Sequence, residues 1–119
     1  DQWNQKRRQH ARLYRSLLGG HPHIRFFDEH PDSEPVYHLL VVQVPDRERV
    51  RTALGQKGIG TGIHYPVPLH RLKAYEHSHA GLSFPVSECL AQSILSLPLY
   101  PELTESQIRE VAEALIASL

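Results

Sequence analysis

Methionine is absent from the 119 residues, and cysteine occurs once, at Cys89. A lone cysteine excludes an intrachain disulfide and suits a reducing compartment, so the expected location is the cytoplasm. A reading frame opens with methionine, and Asp1-Gln2-Trp3-Asn4 reads like mid-helix with no N-cap ahead of it. Both features predict a piece of a longer chain. No apolar run nears the roughly 20 residues of a membrane span, and no signal-peptide pattern opens the sequence. A net charge is missing as well, because 13 basic and 13 acidic residues cancel. That excludes the basic excess of a general nucleic-acid or membrane-surface binder. Catalytic signatures are equally scarce. There is no H-E-x-x-H and no G-x-S-x-G, and Gly58-x-Gly60-x-Gly62 lacks the rest of a dinucleotide or phosphate-loop motif.

The residues that are present predict one α/β (α+β) domain over 1–119, in the order α-β-β-α-β-α-(β)-α. A sheet of three or four strands packed with helices is expected. Residues 1–18 carry apolar positions at helical spacing and end at Gly19-Gly20, where glycine enters a left-handed cap. Their five basic residues, Lys6, Arg7, Arg8, Arg12 and Arg15, read as a solvated face. Ile24 to Phe27 reads as a short strand. Tyr37 to Val44, rich in β-branched residues and apolar on both faces, reads as a strand central in its sheet. Asp46 is the expected cap of a helix ending near Lys57, and Gly58 to Tyr65 reads as a glycine-punctuated strand. Val86 to Leu95 predicts a helix with Val86, Cys89, Leu90 and Ile94 inward, so Cys89 reads as a small core residue rather than a nucleophile. Ser96 to Pro101 reads as extended. Thr104 opens the last helix with a capping box to Gln107, ahead of a stripe of Ile108, Val111, Ala112, Leu115, Ile116 and Leu119.

Nine histidines raise the question of metal. His21-Pro22-His23 and His77-Ser78-His79 have chelating spacing, but few acidic residues accompany them. They read as turn residues, and no metal site is expected. Ile63 to His70 is the segment with site character: two histidines and a tyrosine leave a strand end through Pro66-Val-Pro68, which stiffens the exit. From the residues alone it is either a ligand-positioning loop or a structural turn with a half-buried tyrosine.

Several stretches share a pattern. Gly58-Ile-Gly-Thr-Gly-Ile-His-Tyr-Pro-Val-Pro-Leu-His70 is followed by Ala74-Tyr75, Phe84-Pro-Val-Ser-Glu88, Leu95-Ser-Leu-Pro-Leu-Tyr-Pro101 and Glu105 to Leu115. In this order they resemble the C-terminal part of the DegT/DnrJ/StrS family, fold-type I enzymes that use pyridoxal phosphate on nucleotide-linked keto sugars. The first helix resembles the one leading out of the family's large domain; the resemblance covers nearly the whole chain and is weakest over His21 to Pro35.

The resemblance implies a small domain cut from an aminotransferase. The cofactor lysine, the aspartate at the pyridine nitrogen and most phosphate ligands would belong to a large domain outside this chain. Lys6, Lys57 and Lys73 match none of the family's lysine pattern, so the chain alone is expected to be inactive. By resemblance His64 projects toward the bound sugar, Tyr65 and His70 line the entrance, and His38 is a further candidate or else a core histidine. Arg71 and Lys73 would meet a nucleotide diphosphate or solvent. The parent would take its amino group from glutamate and work as a homodimer. Two other readings stay open: a stand-alone nucleotide-sugar-binding or regulatory domain, and a piece of a sugar dehydratase of the same family.

Overall fold

A computed structural model describes residues 1–75, 77, 78 and 81–119. Helix α1 (Gln2–Leu18) buries Ala11, Tyr14 and Leu18 on one stripe. Asp1 occupies the N-cap without a side-chain bond to the helix. The Gly19-Gly20 exit works in two steps. Gly20 takes the left-handed conformation at φ 85°. Gly19 is extended, and a Cβ on it would lie 2.4 Å from the carbonyl oxygen of Arg15, so a side chain there has no room.

Three antiparallel strands follow the order β1-β2-β3 (Arg25–Phe26, Leu40–Gln43, Ile94–Leu97). Arg25 pairs with Gln43, and Leu40, Val41, Val42 and Gln43 pair with Leu97, Ser96, Leu95 and Ile94. The second strand is central, as its two apolar faces predict. It is shorter than the expected Tyr37–Val44, because Tyr37 has φ 50° and turns the chain before the ladder starts. His38 therefore lies in the bend ahead of β2 and not on the central strand.

Helix α2 (Arg47–Gln56) buries Val50 and Leu54. Asp46 is its N-cap, at φ 43°, but makes no side-chain cap bond; its carboxylate accepts instead from Arg49 Nε at 3.2 Å. Helix α4 (Glu105–Ala117) opens with the expected capping box: Thr104 Oγ1 accepts from the Gln107 amide, and the Gln107 side chain accepts from the Thr104 amide. Its stripe is buried at Ile108, Val111, Ala112 and Leu115, with Ala114 added, while Ile116 is exposed.

Helices α1, α2 and α4 share one core with the sheet, including Leu54, Val42, Leu95, Ile108 and Leu115, each essentially inaccessible. Tyr14 sits inside it, and its hydroxyl donates to Pro98 O at 3.1 Å. Burial, and secondarily Tyr100, pushes that phenol well above its ordinary range. The basic face of α1 is less solvated than its composition suggests. Arg8 pairs with Glu34 and donates to Pro35 O, while Arg15 donates to Phe27 O and Glu29 and lies over the Phe26 ring. These two arginines tie the 28–35 loop to the helix. Among the described residues no helix is long and apolar enough to cross a membrane.

Candidate functional site

Two departures from the expected elements shape the site. Residues 58–65 do not form a strand. Only Gly62 pairs, in a single bridge to Ser96 with both backbone bonds formed (3.1 and 2.8 Å). Helix α3 (Pro85–Ser93) buries Ala91 alone. Cys89 and Val86 are exposed, not inward as the spacing predicts, because the rest of the chain leaves that helix face uncovered.

The Gly62 bridge fixes His64. Its Nδ1 lies 2.9 Å from Ser96 Oγ, and Ser96 is buried in β3. A Cβ on Gly62 would come within 2.7 Å of His64 Cε1, so this glycine leaves the slot that the imidazole fills. With Nδ1 engaged, Nε2 is the ring nitrogen that can meet a ligand. Tyr65 follows with its ring edge-on to His64, centroids 5.6 Å apart, and is 72% exposed.

Beyond the two prolines, a 3₁₀ turn at Leu69–Arg71 carries His70. Its Nε2 is 2.8 Å from Glu88 Oε1, and its ring packs edge-on against Phe84 with centroids 4.8 Å apart. The same carboxylate oxygen accepts from the Phe84 amide at 3.1 Å and from Arg71 at 3.2 Å. These donors, His70 first, then the Phe84 amide and Arg71, hold the Glu88 carboxyl at about 2, below its ordinary 4.5. An ionised Glu88 only accepts, so His70 Nε2 carries the proton in this bond.

An apolar groove of about 810 Å³ runs between this loop and α3, lined among others by Tyr65, Val67, Leu69, His70, Phe84 and Leu90. The structure thus gathers Tyr65 and His70 on one groove, with His64 in ring contact with Tyr65. His38 stays apart: it is exposed and does not line the groove. Arg71 is committed to Glu88, and Lys73 is exposed in the next 3₁₀ turn. Two residues that position the site, Ser96 and Glu88, were not singled out by sequence reasoning. Ser96 signals itself as the polar member of the apolar run Ile94-Leu-Ser-Leu97. Glu88 does so only as a carboxylate in the first turn of a helix.

His21 and His23 form a turn in which the His23 amide donates to His21 Nδ1 at 3.3 Å. Of the other pair, His79 lies outside the described residues. Among the described residues no cluster of three or more His, Cys, Asp or Glu is arranged to hold a metal ion.

The sequence matches the DegT/DnrJ/EryC1/StrS aminotransferase family over residues 1–116. The chain belongs to this family. Among its relatives, the erythromycin biosynthesis sensory transduction protein of Saccharopolyspora erythraea is 38% identical over 122 aligned positions, covering 100% of this chain and 32% of the relative. The dTDP-3-amino-3,4,6-trideoxy-alpha-D-glucose transaminase of Streptomyces venezuelae is 40% identical over 116, covering 96% and 30%. The crystal structure of DesV from S. venezuelae in complex with a ketimine intermediate superposes with a TM-score of 0.90 at 38% identity, covering 95% of this chain and 31% of that one. The chain therefore spans about a third of the length of the family members it matches.

The family implies pyridoxal phosphate, and the residues present do not fit it. That cofactor needs a lysine amine and a carboxylate facing its ring. Lys6, Lys57 and Lys73 are all exposed, and among the described residues those lining the groove include neither a lysine nor an acid. Lys57 borders a second recess of about 210 Å³ that Glu110 also lines.

Proposed function

We propose that this chain is the small C-terminal domain of a pyridoxal-phosphate-dependent aminotransferase that acts on nucleotide-linked keto sugars in amino-sugar biosynthesis. The observation that carries this reading is the match over nearly the whole chain to about a third of a sugar transaminase, beside the likeness to DesV, solved with a ketimine intermediate. In this reading the covalent chemistry belongs to residues outside these 119, and the groove, which no lysine lines among the described residues, is a binding wall. Glutamate is the proposed amino donor, a homodimer the proposed assembly and the cytoplasm the proposed compartment.

In this reading the domain contributes binding and orientation. His64, held at Nδ1 by Ser96, offers Nε2 to a sugar hydroxyl or phosphate oxygen. Tyr65 offers an exposed phenol from the groove wall, and His70 lines the same wall. His38 is the outlying member of the set, reachable from solvent ahead of β2.

The test uses the full-length coding sequence. The expressed protein, supplied with pyridoxal phosphate, a nucleotide-linked keto sugar and ¹⁵N-amino glutamate, is expected to place the label on the sugar, as read by mass spectrometry. His64→Ala should lower kcat/KM by about a hundredfold, the scale of a lost positioning contact, while the fold is retained. A product that has lost a hydroxyl without gaining nitrogen would establish the dehydratase reading instead. A product unaffected by His64→Ala would remove His64 from the site.

A further inference from the structure

Three donors converge on one oxygen of Glu88, and two of them come from the loop that carries the site residues. His70 reaches it from the side at 2.8 Å, Arg71 at 3.2 Å, and the Phe84 amide at 3.1 Å from the start of α3. The His70 side chain is only 7% exposed, whereas that of Glu88 is 29% exposed, so the anchor sits at the rim and the held ring lies inside. Phe84 closes the other side of the imidazole. An imidazole with one nitrogen fixed and one face packed has little rotational freedom left.

We infer that Glu88 is the positioning residue of the substrate loop: it holds the Nε2 proton of His70, so that Nδ1 is the only ring nitrogen that can address a ligand in the groove. This inference rests on the reading of the groove as part of a sugar-nucleotide site. The lowered pKa of Glu88 agrees with it, because the three donors favour the ionised carboxylate. The same contacts draw the Arg71 guanidinium onto Glu88, which partly neutralises it. With Nε2 donating to Glu88, Nδ1 of the neutral ring is an acceptor, so a ligand oxygen that donates a proton, such as a sugar hydroxyl, is the partner it takes in that form.

Two experiments test this, and they fail separately. The first uses the 119-residue chain with ¹⁵N-histidine and needs no activity. Long-range ¹H–¹⁵N spectra in the high-pH limit, starting at about pH 8.5, are expected to show His70 as the Nε2–H tautomer. Glu88→Gln, whose amide oxygen still accepts, should keep that tautomer, and Glu88→Ala should lose the bias. A Nδ1–H tautomer in the wild-type chain, or an unchanged tautomer in Glu88→Ala, overturns the inference. The second uses the full-length enzyme. Glu88→Ala is expected to lower kcat/KM for the nucleotide sugar by about tenfold to a hundredfold, mostly through KM. Glu88→Gln should stay within about threefold of wild type. If Glu88→Ala loses the tautomer but keeps kcat/KM, the positioning role is overturned. If the full-length protein aminates no sugar at all, the functional reading fails while the tautomer still decides the Glu88–His70 link.

Discussion

The two halves of the molecule handle apolar side chains in opposite ways. Around α1, α4 and the sheet, apolar residues are closed over: Leu18, Leu54, Leu95, Ile108 and Leu115 have essentially no accessible surface. Between residues 65 and 90 comparable residues stand open, with Tyr65 and Val86 each 72% exposed and Leu69 73%. Hydrogen bonding follows the same division. In the closed half, side-chain bonds such as that of Tyr14 to Pro98 add to ladders and helix ends, whereas the open half rests on the side-chain anchors Ser96 on His64 and Glu88 on His70. A core that closes on itself gives stability. An apolar face left open beside anchored rings gives a wall for something else to complete.

Substitutions sharpen this contrast. Leu95→Ala, in the middle of the closed half, should cost about 2–5 kcal/mol in urea unfolding. Gly19→Ala comes next, because its Cβ meets backbone rather than a movable side chain. A loss of about 1–3 kcal/mol is expected, in the range of other steric insertions. Thr104→Ala removes the capping box of α4 and should cost about 1 kcal/mol. In the open half, Leu69→Ala and Val86→Ala should stay within about 0.5 kcal/mol, as exposed positions do. A Val86→Ala loss near that of Leu95→Ala would erase the contrast.

The smallest effect is local and depends on pH. The folded pKa of Glu88, about 2, lies below its ordinary 4.5. Its contribution to stability is therefore fully present above about 4.5 and is lost as pH falls toward 2. Comparing wild type with Glu88→Gln over that window should show the acid sensitivity reduced in the variant. Equal acid sensitivity in both would detach Glu88 from the network.

The closed half was largely legible in the sequence. Helical spacing marks α1 and α4, Thr104 and Gln107 announce the cap, and the Tyr37–Val44 run with apolar residues on both faces points to the central strand, which forms over Leu40–Gln43. The open half was legible as motif but not as geometry. Spacing places Val86 and Cys89 on one face of α3, yet periodicity states only that a face is apolar, not that this chain covers it. The bend at Tyr37 removes His38 from β2, and no local signal marks a left-handed tyrosine. Residues 58–65 carry strand-like composition, but after Gly62 the chain turns His64 back toward Ser96 and the pairing stops at one bridge. The loop histidines and tyrosine stood out by type. Their anchors did not, because a serine in a strand and a glutamate in a first helical turn are ordinary at those places.

The most direct test of the central claim, that these residues supply binding and orientation while the covalent chemistry comes from elsewhere, is to locate the cofactor lysine. The full-length protein is incubated with pyridoxal phosphate, reduced with borohydride and digested for peptide mapping. The account predicts a single pyridoxyl-lysine outside the 119 residues and none in the isolated chain treated alike. A stoichiometric adduct on Lys6, Lys57 or Lys73 would contradict it.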